Sequence, residues 1–295
     1  MNVFNRRSVR QHRDRAAPLL GQFDFLFRES AQRLIDRLQD VTRTFPLALD
    51  IGCHGGEIAR ELQDSRSRSI TTLIQCDLSA NMAGQARTAT GDPAVCGDEE
   101  FLPFAERAFD LVLSNLSLHW VNDLPGALRQ VRQSLKPDGL FLGAMLGGET
   151  LHELRHALSH AEIEIDGGLS PRLSPFAELK DAGNLLTRAG FSLPVADRET
   201  LTVSYPDAFK LMSDLRGMGE TNANILRRTG FSKRAILLRA AEIYRQKFAG
   251  DDGRIPVTFE VLYLTAWVPH ESQPKPLRPG SATSRLADAI DGRQP

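Results

Sequence analysis

What the 295-residue sequence has little of sets the first bounds. It holds only three cysteines, Cys53, Cys76 and Cys96, far apart and with no C-x-x-C pair. Neither a disulfide framework nor a thiolate zinc site is expected, and the thiols read as reduced. No apolar run is long enough to span a bilayer. The net charge is -1, so no bulk attraction to nucleic acid or anionic membrane is implied. The N-terminus lacks an apolar signal core, which leads to the expectation of an unsecreted, cytoplasmic chain. It opens instead on NRRSVRQHRDRAA, with five arginines. A mitochondrial transit peptide shares this bias, but Asp14 and the scarcity of serine argue against one. A solvated basic arm or a first helix is the better reading.

With 41% hydrophobic and 25% charged residues, the chain suits one large domain, or one domain with an elaboration, around an ample core. Residues 23–41 carry apolar positions at helical spacing. FPLALDIG, TTLIQCD, AVCGD, FDLVLSN and GLFLGAM follow as short apolar strands, separated by helices near 56–64, 79–89 and 122–135. The last of these ends in KPDG, a helix stop. Strands buried on both faces and alternating with helices predict a doubly wound α/β domain with a mostly parallel sheet. Beyond Gly147 the alternation breaks. VTFEVLYLTAWVP reads as the last strand, and insertions at about 149–182 and 206–249 are expected to cap the ligand-binding face. The expected organisation is N-terminal helices over 1–44, a ligand-binding domain over 45–269, and a proline-rich tail over 270–295, ordered only in part.

The loop after the first strand carries the chemistry. Dinucleotide folds use G-x-G-x-x-G, and G-C-H-G-G-E from Gly52 fails it at the second glycine. S-adenosylmethionine sites begin with an acid at the strand end, as D-x-G-x-G-x-G. Asp50, Gly52 and Gly56 match, and His54 replaces the middle glycine. The backbone must approach the ligand closely there, so side chains are excluded. The acid can hold the ligand's ammonium. Asp77, followed by Leu78, ends the second strand and suits two ribose hydroxyls, since the helix cap falls on Ser79. Asp98, followed by Glu99, ends the third and suits an adenine amino group, and Asn115 ends the fourth. For His54 a negative φ is expected, with Gly55 taking any unusual angle. HELRH at 152–156 matches the zincin H-E-x-x-H, and His160 extends the stripe. No third ligand pattern follows, and a polar helix face is expected instead of a metal.

DIGCHGGEIA, CDLSANM, GDEEFLPF, FDLVLSNLSLHWVNDLP and LKPDGLFLGAM resemble the class I S-adenosylmethionine-dependent methyltransferases. Within that superfamily they are similar to the malonyl-carrier-protein methyltransferases of biotin synthesis. They are more similar still to a mitochondrial assembly factor of respiratory complex I and its bacterial relatives. This last likeness continues through AEIEIDGGLSPRLSPF and YPDAFKLMSDLRGMGETN. It implies seven strands with the last antiparallel, a location in the mitochondrial matrix if the source is eukaryotic, and modification, by hydroxylation, of an arginine on a complex I subunit. A planar cation needs carboxylates and aromatics, and Glu149, Glu220, His119 and Trp120 are the candidates. Ordinary methyl transfer to a protein, a carrier-protein carboxyl or a small molecule is the alternative. A non-catalytic assembly chaperone is a third reading, favoured by His54. Oligomeric state has no signal in the sequence.

Overall fold

The computed structural model describes residues 2–65 and 69–274; most of the expected tail, 275–295, lies outside them. Two helices precede the sheet, α1 (Arg6–Ala16) and α2 (Phe25–Gln39). Asn5 caps α1 by accepting from the Ser8 N–H, filling one of the orphan donors of a helix start. α2 buries Leu26, Phe27, Leu34, Ile35 and Leu38, a stripe at helical spacing.

The alternation then runs β1 (Phe45–Ile51), α3 (Glu57–Asp64), β2 (Ile70–Asp77), α4 (Ala80–Thr90), β3 (Ala94–Cys96), β4 (Phe109–Asn115), α5 (Leu124–Ser134) and β5 (Leu135–Leu146). These five strands are parallel. KPDG does not stop the chain before β5, because Lys136–Gly139 belongs to the strand. Asp138 accommodates the irregular start with a φ of 61°. α6 (His152–Asp166), α7 (Leu179–Arg188), β6 (Ser192–Tyr205), α8 (Ala208–Gly217), α9 (Arg234–Phe248) and β7 (Ile255–Trp267) complete the described α-helices and strands, beside short 3-10 turns at Ala17–Gln22 and Leu118–Trp120. The sheet order is β3-β2-β1-β4-β5-β7-β6. β7 runs antiparallel to both β5 and β6, as the resemblance implied.

Alternation of side chains along the buried strands feeds two cores. On one face Leu154 of α6, Leu211 of α8 and Tyr244 of α9 join α2 and Phe259 of β7. On the other, Val131 of α5 and Leu186 of α7 pack against Val112, Phe141 and Leu264. The helices on both faces leave the C-terminal ends of β1, β2 and β4 at one edge of the molecule, where α1 lies.

The H-E-x-x-H stripe is structural on this frame. Glu153 is buried and accepts from the Thr258 hydroxyl at 2.5 Å. His156 meets the Lys247 amine at 2.8 Å, and Glu162 accepts from Ser170 and Arg172 instead of facing His160. Among the described residues, no group of three or more histidine, cysteine or acidic side chains has metal-binding geometry. Phe259 is fully buried while Val195 on β6 is 57% exposed. Phe259→Ala is therefore expected to cost about 3–5 kcal/mol, and Val195→Ala less than about 1 kcal/mol, both read from urea unfolding.

Candidate active site

Gly52 leaves β1 with a φ of 71°, and Gly56 enters α3 with a φ of 85°. A Cβ on Gly52 would lie 2.1 Å from the Ser117 side chain, so this position excludes any other residue. The expectation for His54 fails: its φ is 47°, and Gly55 is not among the positive-φ residues. Glycine at 55 answers a close approach instead, since a Cβ there would meet Glu57 Oε1 at 2.6 Å. The left-handed backbone at His54 costs about 1–3 kcal/mol, and three contacts hold it. The His54 N–H donates to Asp77 Oδ2 at 3.1 Å. The ring stacks on Phe27 with centroids 4.3 Å apart. Nε2 lies 3.2 Å from the Leu116 carbonyl, which only an N–H can satisfy, so the proton sits on Nε2. Burial, and then the Arg13 charge, lower the His54 pKa and keep the ring neutral. It turns under α2 onto Phe27, with the Glu220 charge near enough to act on it.

Asp50 is fully buried and neither carboxylate oxygen has a partner. Burial first, then Glu57 and Asp77, push its pKa well above the carboxylate range. Ser79 caps α4 by accepting from the Met82 N–H, as expected. Asp77 is nevertheless not left free, for Oδ1 accepts from the Ser79 N–H at 2.8 Å and Oδ2 from His54. Asn115 donates to the Phe27 carbonyl at 2.8 Å, and Leu78 packs beside Phe4 and Trp120.

The basic stretch is the first helix, solvated on one face through Arg7, Arg10 and Arg15 and buried on the other. Arg13 is 2% exposed. Its guanidinium reaches Glu99 at 2.8 Å, Asp77 at 3.3 Å and the Ser117 hydroxyl at 2.9 Å. Arg6 pairs with Asp98 and Glu99. Burial alone would raise the Glu99 carboxyl, but Arg13 and Arg6 outweigh it and hold it far below its usual range. No motif in the sequence singles out Arg6, Arg13, Phe27, Glu57 or Ser117. The available signal was spacing: Arg6, Val9 and Arg13 sit at i, i+3 and i+7 and share a helix face.

Glu220, after the turn at Gly219, joins two of the other substrate-side candidates. Its carboxylate meets His119 Nε2 at 3.1 Å and accepts from Trp120 Nε1 at 3.0 Å. Burial raises the Glu220 carboxyl, and the His119 contact with the two hydrogen bonds brings it below its usual value. Phe176 sets its ring edge-on to His119. Glu220 also lines a cavity of about 360 Å³ among α6, α8 and His12. Glu149 stands apart: its side chain is exposed, and its backbone N–H donates to Glu260 at 3.1 Å.

A mostly parallel seven-stranded sheet, acids at successive strand ends and a glycine loop define the class I methyltransferase fold. Residues 49–143 match the family described as a methyltransferase domain. The chain is 18% identical to Haemonchus contortus phosphoethanolamine N-methyltransferase 2 solved with S-adenosyl-L-methionine, with a TM-score of 0.56, covering 89% of this chain and 60% of that one. That likeness speaks for the fold alone. Over 98% of its length the chain is 47% identical to "Arginine-hydroxylase NDUFAF5, mitochondrial" of Danio rerio, covering 89% of that protein. The human protein of the same name is 46% identical, with 96% and 82% covered. A malonyl-[acyl-carrier protein] O-methyltransferase of Halorhodospira halophila is 36% identical, with 89% and 88% covered. The chain belongs to the NDUFAF5 family within the S-adenosylmethionine-dependent methyltransferase superfamily.

Burial pushes the Glu57 carboxyl up to about 7, against about 4.3 in an unfolded chain. Between these values the folded chain binds more protons than the unfolded one, so stability falls as pH rises through that window. Glu57→Gln is therefore expected to exceed the parent in stability at pH 8 by roughly 2–3 kcal/mol, with the difference closing towards pH 5. Urea unfolding at both pH values reads it, and a pH-independent difference would contradict the assignment.

Proposed function

We propose that this chain is an S-adenosylmethionine-binding enzyme that modifies an arginine of a respiratory complex I subunit during assembly, by hydroxylation. The observation that carries the reading is the 47% identity, over nearly the whole chain, to a relative named arginine-hydroxylase. The cleft agrees in its chemistry. When bound, the cofactor would supply a sulfonium-activated methyl group, which methyl transfer uses and hydroxylation does not. Asp50, buried with both oxygens unpartnered, suits the ammonium of the methionine part, and a nearby cation would also favour its ionised form. Gly52 and Gly56 keep the backbone bare, Asp77 suits the ribose, and Asp98, Glu99 and Leu78 suit the adenine. Asn115 stands at the mouth of β4.

For the arginine, Glu220 offers a carboxylate held from behind by His119 and Trp120. A guanidinium reaching Glu220 would meet a charge-assisted acceptor, with Trp120 and Phe176 as aromatic neighbours in the small cavity on that side; the larger cavity is walled by leucines and by Arg172, Arg216, Arg227 and Arg228. Glu149 is the outer candidate, at the exposed turn after β5. The insertions over 149–182 and 206–249 act in this reading as the substrate-side cap. These side chains bind and orient; hydroxylation is a two-electron oxidation that none of them supplies, so the oxygen atom and the oxidising equivalents come from a co-substrate, a peroxide or dioxygen with a two-electron reductant. The location is a compartment with reduced thiols, the bacterial cytoplasm or the mitochondrial matrix.

Methyl transfer is the second reading, favoured by the likeness to the carrier-protein methyltransferase. Mass spectrometry of complex I subunits from a deletion strain separates the readings. Loss of about 16 mass units from one arginine is expected, loss of about 14 marks methylation, and no change leaves a chaperone. In the complemented strain Glu220→Gln should lower the modification rate ten- to a hundredfold, the loss of a charged hydrogen bond worth roughly 1.5–3 kcal/mol. Affinity for S-adenosylhomocysteine should stay unchanged in that variant.

A further inference from the structure

α1 places two arginines on one helix face, seven residues apart, with Val9 between them. Both turn inward. An arginine buried as deeply as Arg13 is costly unless its charge is met, and here it is met by Asp77, Glu99 and Ser117 within 3.4 Å. Arg6 completes the set on Asp98 and Glu99 and also donates to the Trp120 carbonyl at 3.2 Å.

These are the same acids that the functional reading assigns to the nucleoside. A carboxylate offers about four acceptor positions. Asp77 spends one on the Ser79 N–H, one on the His54 N–H and its remaining face on Arg13. It has no capacity left for two ribose hydroxyls. Glu99 is equally committed, to Arg13, Arg6 and the Ser117 hydroxyl. Helix and nucleoside therefore compete for one set of acceptors.

We propose that α1 is an internal competitor of the cofactor. Arg13 and Arg6 seat on the nucleoside-binding acids, and the cofactor loads only when this face of α1 withdraws. The proposal rests on the cofactor reading above and adds a gate to it. The gate needs no other change in the glycine loop, since the Asp77 bonds to Ser79 and His54 come from the loop and strand themselves and can persist when Arg13 leaves.

Hydrogen–deuterium exchange on the full-length protein, with and without S-adenosylhomocysteine, tests the withdrawal directly. Residues 6–16 are expected to exchange faster with ligand bound, while the loop 50–56 gains protection. Calorimetry on variants tests the competition. Arg13→Gln is expected to bind S-adenosylhomocysteine at least tenfold more tightly, and Arg7→Gln, at an exposed position of the same helix, to bind as the parent does. Unchanged or slower exchange of 6–16 with ligand bound overturns the gate even if Arg13→Gln fails to fold. Equal or weaker binding by a folded Arg13→Gln also overturns it. Absence of binding by both the parent and Arg13→Gln overturns the cofactor reading, and the gate with it.

Discussion

The buried charge cluster of Arg13 with Asp77 and Glu99 is the constraint on which the rest of this end of the molecule depends. Three ionised groups sit out of water at the ends of β2 and β3. None of them is tolerable without the others. The cluster fixes α1 against the sheet, α1 fixes the short segment leading to α2, and α2 carries Phe27 over the glycine loop. Ser117, which hydrogen-bonds both Arg13 and Glu99, also fills the space that a side chain on Gly52 would need. A charge arrangement and a steric one thus share a single hydroxyl.

Three of the six non-glycine residues with positive φ among the described residues lie at this edge of the sheet. His54 after β1, Leu116 after β4 and Leu151 after β5 all have positive φ without being glycine. His54 and Leu116 stand just past strand ends, and Leu151 is the residue from which α6 starts. Residues in that region persist only where surrounding contacts over-determine them. The stack on Phe27 and the bond to the Leu116 carbonyl do this for His54, and the Leu151 N–H is tied to the Thr258 carbonyl. Such positions gather where a fold holds a site, and here they border the acids and the Glu220 cluster.

Most of the architecture was legible because parallel strands buried on both faces must be apolar throughout, and the helices between them need caps. Asp50, Gly52, Gly56, Asp77 and Asp98 stood out for the same local reason: each closes or follows a strand. Glu220 lies a hundred residues from His119 and Trp120 in sequence, and only the fold, through the segment after α8, brings them together. What could not be read locally was the partner of each charge. The arginines of α1 looked like a solvated face because the helix holds a single acid, Asp14, which pairs with Arg10; the partners of Arg6 and Arg13 lie 64 or more residues away. His54 was misjudged by treating glycine as the only residue that takes a positive φ, when histidine is among the side chains that do so more readily than most. Glu149 failed as a member of the cluster because an acid after a glycine turn is equally at home in solvent.

The stack of His54 on Phe27 makes two positions, 27 residues apart, into one heritable unit. A glycine in the middle of the loop would leave one face of the Phe27 ring uncovered in the interior, and a smaller residue at 27 would leave the strained imidazole without its support. Neither site can drift alone without opening a void beside the glycine loop. Across the family, the character of the loop's middle residue should therefore track the size of the side chain that α2 presents to it, so that what looks like a damaged motif is one half of a matched pair.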